Sequence, residues 1–214
     1  MSPRLAKLVI FDLDGTLVNA YPAIISSFNH TMQRLDYPSR SALVIRRAVG
    51  WGDQNLLKPF IRLADLKRAV AVYRKHHLFS LVRESRLLPG AKRLLQYLKG
   101  KGYKLAVASN RPTRFSRILI SHLKISNYFG VVLCADKLKN FKPHPLILNS
   151  ILSRFSLKPQ EAVYVGDMTV DAVAGRRAGI RTVIVTTGSS SRREIKKEKP
   201  WRIVSRLAGL LKFF

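Results

Sequence analysis

The sequence predicts an α/β fold, a three-layer core in which a parallel sheet is covered by helices on both faces, with an α-helical cap inserted after the first strand. Two patterns lead there. Short, wholly apolar β-prone segments end in small or polar residues and alternate with stretches of helical periodicity, as in βαβ units whose strands are buried on both faces. Between residues 18 and 89 the strand pattern stops and only helical periodicity remains.

In chain order, residues 7–11 read as the first strand and run straight into Asp12-Leu13-Asp14-Gly15-Thr16. Residues 24–35, 42–49, 54–60 and 66–82 read as the cap helices, and Pro89-Gly90 marks the return to the core. Four more strands follow at 105–108, 131–134, 162–165 and 182–185. Helices between them are signalled by Leu94, Leu95 and Leu98, by Phe115, Ile118, Leu119 and Leu123, by Ile147, Leu148, Ile151 and Leu152, and by Val170, Val173 and Ala174. Residues 189–200 read as an exposed basic connection. Residues 201–214 fit a closing strand and helix, the alternative being a cationic membrane-surface helix. The expected organisation is a core of residues 1–17 and 90–214 with a cap of residues 18–89. Ligands of such a sheet bind at the carboxyl ends of its strands, so the polar strand ends converge on one edge.

The chain has 214 residues, 47% of them hydrophobic, which suffices for a packed core and excludes a disordered polybasic chain. The lone cysteine, Cys134, lies in an apolar run, which excludes an intramolecular disulfide framework and a cysteine zinc site and reads as a buried inert thiol. The first apolar stretch is too short for a secretory signal and no run is long enough to span a bilayer, so a soluble, cytoplasmic protein is expected. Lys and Arg number 39 against 12 Asp and Glu, a formal net charge of +27. That excess is spread: residues 18–89 hold 12 basic and 4 acidic side chains, and only residues 192–214, with 8 and 2, are distinctly denser. With no zinc-finger, RNP-type or heptad pattern, no specific nucleic-acid recognition is expected, whereas non-specific polyanion binding at low salt is.

Half of the eight aspartates fall in two short stretches. Asp12 and Asp14 are two apart at a strand end, which puts both side chains on one side, and carboxylates so close need a cation or a shared proton. A calcium-loop fragment would also hold acids at this spacing, but the remaining oxygen ligands are missing and an apolar strand precedes. Asp167 and Asp171 share one face of a first helical turn, where the dipole favours negative charge and N-capping is the simpler role. Together with Asp12 they form an oxygen-rich cluster suited to Mg²⁺.

Four ordered segments carry a resemblance: Val9-Ile10-Phe11-Asp12-Leu13-Asp14-Gly15-Thr16-Leu17, Ala108-Ser109-Asn110, Lys142-Pro143-His144-Pro145 and Val165-Gly166-Asp167-Met168-Thr169-Val170-Asp171. Their order, strand context and spacing resemble the haloacid dehalogenase superfamily of aspartate-nucleophile phosphohydrolases, and the likeness covers nearly the whole chain. It implies a Rossmann-like core and Mg²⁺ dependence. It further implies that Asp12 attacks phosphorus and that Asp14 protonates the leaving oxygen and then activates water. Mg²⁺ would be held by Asp12, the Asp14 carbonyl and Asp167, with Asp171 in support. Ser109, the Asn110 amide and Thr16 would face the substrate, and Lys142 would neutralise charge between nucleophile and phosphate. An acid at the position of Asp14 separates phosphatases and mutases from the dehalogenases of the superfamily.

Within the cap, Arg46-Arg47-Ala48-Val49-Gly50-Trp51-Gly52 resembles the corresponding segment of phosphoglycolate phosphatases, which makes Arg46 and Arg47 candidates for a substrate carboxylate, solvated charges on a basic helix being the simpler role. Two departures remove no catalytic group: Asn19-Ala20 stands where relatives often have Asp-Ser, and Asn110-Arg111 where many have Asn-Lys. The five histidines form no ligand cluster in sequence, and His144 reads as a spacer before Pro145. The expected activity is hydrolysis of a small anionic phosphorylated metabolite, 2-phosphoglycolate first. A sugar-phosphate mutase and an inorganic pyrophosphatase are the enzyme alternatives, and a basic polyanion- or membrane-surface-binding protein is the alternative of another class.

Overall fold

The computed structural model describes residues 6–214; residues 1–5, which the expected core segment includes, lie outside the described residues. Strand β1 (Leu8–Phe11) is apolar throughout because it occupies the middle of a six-stranded sheet and all four of its residues are buried. The other strands in chain order after a short pair, β2 (Val18–Asn19) and β3 (Arg86–Leu87), are β4 (Lys104–Ser109), β5 (Val131–Cys134), β6 (Ala162–Gly166), β7 (Arg181–Val185) and β8 (Arg202–Val204). The large sheet runs β5-β4-β1-β6-β7-β8 with every neighbouring pair parallel. Phe11 stands opposite Val107 on one side and Val165 on the other. The chain moves outward from β1 in both directions, so the topological switch point lies at the carboxyl ends of β1, β4 and β6.

Alternation along β1 assigns the two helical layers. Val9 and Phe11 belong to a cluster with Leu94, Leu95 and Leu98 of α5 (Ala91–Gly100) and with Phe115 and Leu119 of α6 (Thr113–His122). Leu8 and Ile10 pack on the opposite face with Ile147, Leu148 and Ile151 of α7 (Leu146–Phe155) and Ala174 of α8 (Thr169–Arg177). This is the three-layer arrangement the patterning predicts.

The cap comprises α1 (Tyr21–Arg34), α2 (Ala42–Ala48), α3 (Asp53–Leu57) and α4 (Leu66–Glu84), with α1 and α4 packed against each other. The helix expected over 54–60 ends at Leu57 and tightens into a 3₁₀ turn at Lys58–Phe60, where Pro59 can contribute no amide hydrogen. Antiparallel pairing of β2 with β3 forms the neck between cap and core. Each of those strands is two residues long, too short to interrupt helical periodicity in the sequence.

The region expected to be an exposed connection contains a helix instead, α9 (Arg192–Lys197). Ser191 caps it by accepting from the Glu194 amide while Glu194 accepts from the Ser191 amide, and Ile195 is buried against the core. Beyond it, β8 extends the sheet edge, and Leu207–Phe213 is a 3₁₀ helix whose Leu207 and Leu210 are buried. Val204, Leu207 and Leu210, which a membrane-surface helix would present, are thus already in the core. Cys134 is buried as expected, and burial raises its thiol pKa. Among the described residues, no helix is long and apolar enough to cross a membrane.

Candidate active site

Three buried aspartates from two segments meet beside one buried lysine at the switch point. Asp12 directly follows β1, Asp167 directly follows β6, Asp171 sits in the first turn of α8, and Lys142 lies in the loop before α7. One carboxylate oxygen from each of Asp12, Asp167 and Asp171 lies within 4.8 Å of the others. The Lys142 ammonium donates to Asp12 Oδ1 at 2.6 Å, Asp171 Oδ1 at 2.8 Å, the Ala108 carbonyl at 3.0 Å and the Tyr164 hydroxyl at 3.0 Å. Burial by itself would lower the Lys142 pKa, but Asp12 and Asp171 hold the ammonium well above its ordinary value.

Burial pushes Asp12 up to about 7, with Asp171 and Asp14 adding to the rise and Lys142 opposing it. Asp167 is raised for the same first reason, then by Asp12 and Asp171. Buried carboxylates that raise one another in this way form a setting that a divalent cation relieves. The individual oxygens bear this out. Asp167 Oδ2 is buried with no hydrogen-bond partner among the described residues, while Oδ1 accepts from the Thr16 hydroxyl at 2.8 Å. A β-carbon at Gly15 or Gly188 would collide with the Asp167 carboxylate, so both positions must be glycine for that carboxylate to sit where it does. Asp171 has both oxygens engaged: Oδ1 accepts from Lys142 and from Tyr164 at 2.6 Å, and Oδ2 from the Asp167 and Met168 amides at 3.1 and 3.0 Å. The turn from Asp14 to Val18 closes through the Leu13 carbonyl and the Gly15 amide and does not use the Asp14 carbonyl. The residues present therefore fit a divalent cation, with the Asp14 carbonyl and Asp167 Oδ2 offering free oxygens and Asp12 Oδ1, which accepts one hydrogen bond from Lys142, keeping a lone pair.

On the substrate side, Ser109 is buried at the end of β4 and its Oγ accepts from the Arg111 amide at 3.2 Å, which leaves its own proton free to donate. The Asn110 side chain is occupied, donating to the Gly50 and Lys142 carbonyls at 2.8 and 3.0 Å and accepting from the Lys142 amide at 2.9 Å. Only the main-chain amide of Asn110 is left for a phosphoryl oxygen. The bond to Gly50 also ties the cap to the core. Gly50 has φ +116, and a β-carbon there would meet Met168 Sδ at 2.9 Å.

Expected substrate contacts are corrected. Thr16 is fully buried and its hydroxyl is bound to Asp167, so it orients a carboxylate rather than facing substrate. The Arg46 guanidinium lies over the Tyr21 ring, 4.0 Å from its centroid, and does not line the cavity. Arg47 instead joins cap to core, donating to Glu194 at 2.8 and 3.0 Å and to the Ser189 carbonyl at 2.8 Å. His144 accepts from the Leu146 amide at 3.2 Å within its own turn, as a spacer would.

Three residues that the motifs do not announce complete the site. Tyr164 bridges Lys142 and Asp171. Arg111 is buried between core and cap, its Nε donating to Asp14 Oδ2 at 2.7 Å and its Nη1 to His77 Nε2 at 2.7 Å. His77, from α4, must therefore present an unprotonated Nε2; its Nδ1 lies 3.0 Å from the Ser27 hydroxyl. Arg111 directly follows the second motif and Tyr164 directly precedes the fourth, which are the available signals; nothing near His77 in sequence marks it.

Asp12, Asp14, Arg111 and His77 face a cavity of about 70 Å³ whose apolar wall includes Val49, Leu56 and Phe115. That is room for a few waters or a small ester, at roughly 10–15 Å³ per water on this measure.

The model of the haloacid dehalogenase-like hydrolase family matches residues 9–185. A phosphoglycolate phosphatase of Haemophilus influenzae is 31% identical over 217 residues, covering 96% of this chain and 96% of its own length. One from Mannheimia succiniciproducens is 32% identical over 220 residues, with 96% and 97% covered. The crystal structure of a predicted phosphoglycolate phosphatase from Haemophilus somnus 129pt superimposes with a TM-score of 0.92 at 30% identity, covering 97% of each chain.

Proposed function

The chain belongs to the haloacid dehalogenase-like hydrolase family, and from that premise we propose that this phosphatase hydrolyses 2-phosphoglycolate, with Mg²⁺, through an aspartyl-phosphate on Asp12. The observation that carries the reading is the state of the Asp12 carboxylate. Lys142 holds Oδ1 at 2.6 Å, while Oδ2 has no hydrogen-bond partner among the described residues and belongs to a residue lining the cavity. A carboxylate fixed at one oxygen and free at the other is oriented for attack.

In the first step Asp12 Oδ2 bonds to phosphorus as the bond from phosphorus to the glycolate oxygen breaks, and Asp14 gives that oxygen a proton. Asp14 is suited to this because Arg111 fixes Oδ2 while Oδ1 has no partner among the described residues. In the second step ionised Asp14 takes a proton from water, the water oxygen bonds to phosphorus, and the acyl-phosphate bond breaks to restore Asp12. The Ser109 hydroxyl and the Asn110 amide supply donors for phosphoryl oxygens, and the Lys142 charge offsets the negative charge that develops beside Asp12. Mg²⁺ held by Asp12, the Asp14 carbonyl and Asp167 would supply further charge neutralisation to those oxygens. Asp171 keeps Lys142 and the Asp167 loop in place.

Phosphate release from 2-phosphoglycolate, pyrophosphate and a panel of sugar phosphates, with Mg²⁺ and with EDTA, tests the reading against Asp12→Asn. Turnover of 2-phosphoglycolate is expected to need the metal and to fall about a thousandfold or more in the variant. Undiminished release by a folded Asp12→Asn protein would sink the mechanism.

A further inference from the structure

We propose that Arg111 is the specificity-determining residue of this site, its free guanidinium nitrogen binding a carboxylate carried on the carbon next to the ester oxygen. The proposal rests on the 2-phosphoglycolate reading above and assigns the group that recognises the acid end of the substrate.

Three arms of the Arg111 guanidinium point three ways. Nε is bound to Asp14 and Nη1 to His77, while Nη2 has no protein hydrogen-bond partner among the described residues. Arg111 and Lys142 are the cationic side chains lining the cavity. The Lys142 ammonium already has four acceptors within 3.0 Å, so Nη2 is the donor left for a second negative charge. Its position follows from Asp14. The group that protonates the leaving oxygen must contact that oxygen, and Arg111 lies 2.7 Å from the same carboxylate. In 2-phosphoglycolate only a methylene separates the leaving oxygen from the carboxylate. A guanidinium in contact with the acid is therefore beside the substrate's own carboxylate.

His77 fixes the arginine from the cap. Burial, then Arg111, pushes its pKa down to about 2, so it remains an acceptor for Nη1 across the working pH range. Apolar neighbours such as Phe115 strengthen a charge-assisted pair by excluding water, and a cavity built this way rejects an analogue that lacks the charge. Arg46, which the cap segment suggests for the same task, is stacked on Tyr21 outside the cavity.

The test compares 2-phosphoglycolate with 2-hydroxyethyl phosphate, which replaces the carboxylate by a hydroxymethyl group, in wild type, Arg111→Gln and Arg111→Lys. Taking the ratio of kcat/KM for the two esters cancels damage to Asp14 that affects both. The wild-type ratio is expected to favour 2-phosphoglycolate, and in Arg111→Gln to fall by roughly ten- to a hundredfold, mainly through KM for the acid ester. Arg111→Lys keeps a charge but offers one nitrogen where the guanidinium offers separate nitrogens to Asp14 and to substrate, so its ratio should also fall, though less than in Arg111→Gln. Should Arg111→Gln not fold, Arg111→Lys decides. Ratios equal to wild type in the folded variants overturn the assignment while leaving the 2-phosphoglycolate reading intact. A wild-type enzyme without preference between the esters defeats that reading itself, and the assignment with it.

Discussion

His77 couples the cap to the core through a single protonation state. An unfolded histidine titrates near 6.5, whereas burial, and then Arg111, holds this one down to about 2. Below pH 6.5 the unfolded chain takes up a proton that the folded chain refuses, so stability is fully present above that pH and declines until the folded imidazole itself protonates near 2. For one proton the slope is about 1.4 kcal/mol per pH unit, or about 2 kcal/mol by pH 5. His77→Gln keeps an acceptor for Arg111 but does not titrate. Urea unfolding at pH 7 and pH 5 should therefore show a pH-dependent loss smaller in the variant by about that amount, since all other groups contribute to both proteins; equal losses would refute a neutral, buried His77. The motif carboxylates, Ser109, Asn110 and Lys142 were legible in sequence because each sits in an ordered motif at a strand end. Thr16 and Arg46 were misread because their nearest partners, Asp167 and the Tyr21 ring, are supplied by the fold rather than by local spacing. The roles of Arg111 and Tyr164, though both adjoin motifs, and of His77 were hidden for the same reason, each being defined by a bond across the tertiary structure.

At the scale of elements, the closing segment is where sequence patterning and packing can be separated by experiment. Val204 on β8 and Leu207 and Leu210 on the final 3₁₀ helix are buried, and that helix packs against α5. Truncating one such leucine removes its transfer energy and leaves a cavity, at a cost of about 2–5 kcal/mol. Leu210→Ala should accordingly lower the melting temperature by roughly 5–15 °C for a chain of this size. An unchanged melting temperature together with weakened binding to anionic vesicles would instead restore the surface-helix alternative. The strands β1, β4, β5, β6 and β7 could be read within a residue or two because parallel strands buried on both faces leave an uninterrupted apolar run. What escaped were elements without enough length to carry a period: the two-residue strands of the neck, and α9, whose only buried anchor is Ile195 in a run of charges. The capping box at Ser191 and Glu194 was the legible sign of α9, weaker than the basic composition around it.

For the molecule as a whole, 12 acidic side chains cannot neutralise 39 basic ones, and several of the acids are committed to the buried site. Most of the cations therefore face solvent and contribute to one positive field. Such a field raises the encounter rate of anions and is screened over about 30 Å at 0.01 M salt but about 8 Å at 0.15 M. Because 2-phosphoglycolate carries a carboxylate in addition to its phosphate, kcat/KM for it should fall more steeply with ionic strength than kcat/KM for 2-hydroxyethyl phosphate. The expected fall between 0.01 and 0.3 M salt is several-fold to about tenfold, with kcat at saturation little changed. Direct contact with Arg111 would survive salt better than the long-range field, since a buried pair is screened much less than exposed charges. The same titration separates steering from polyanion binding: non-specific DNA binding weakens linearly in log K against log salt, and added duplex should inhibit only at the low-salt end if it competes for the field around the cavity. A kcat/KM independent of salt for both esters would mean that the net charge of +27 plays no part in substrate capture.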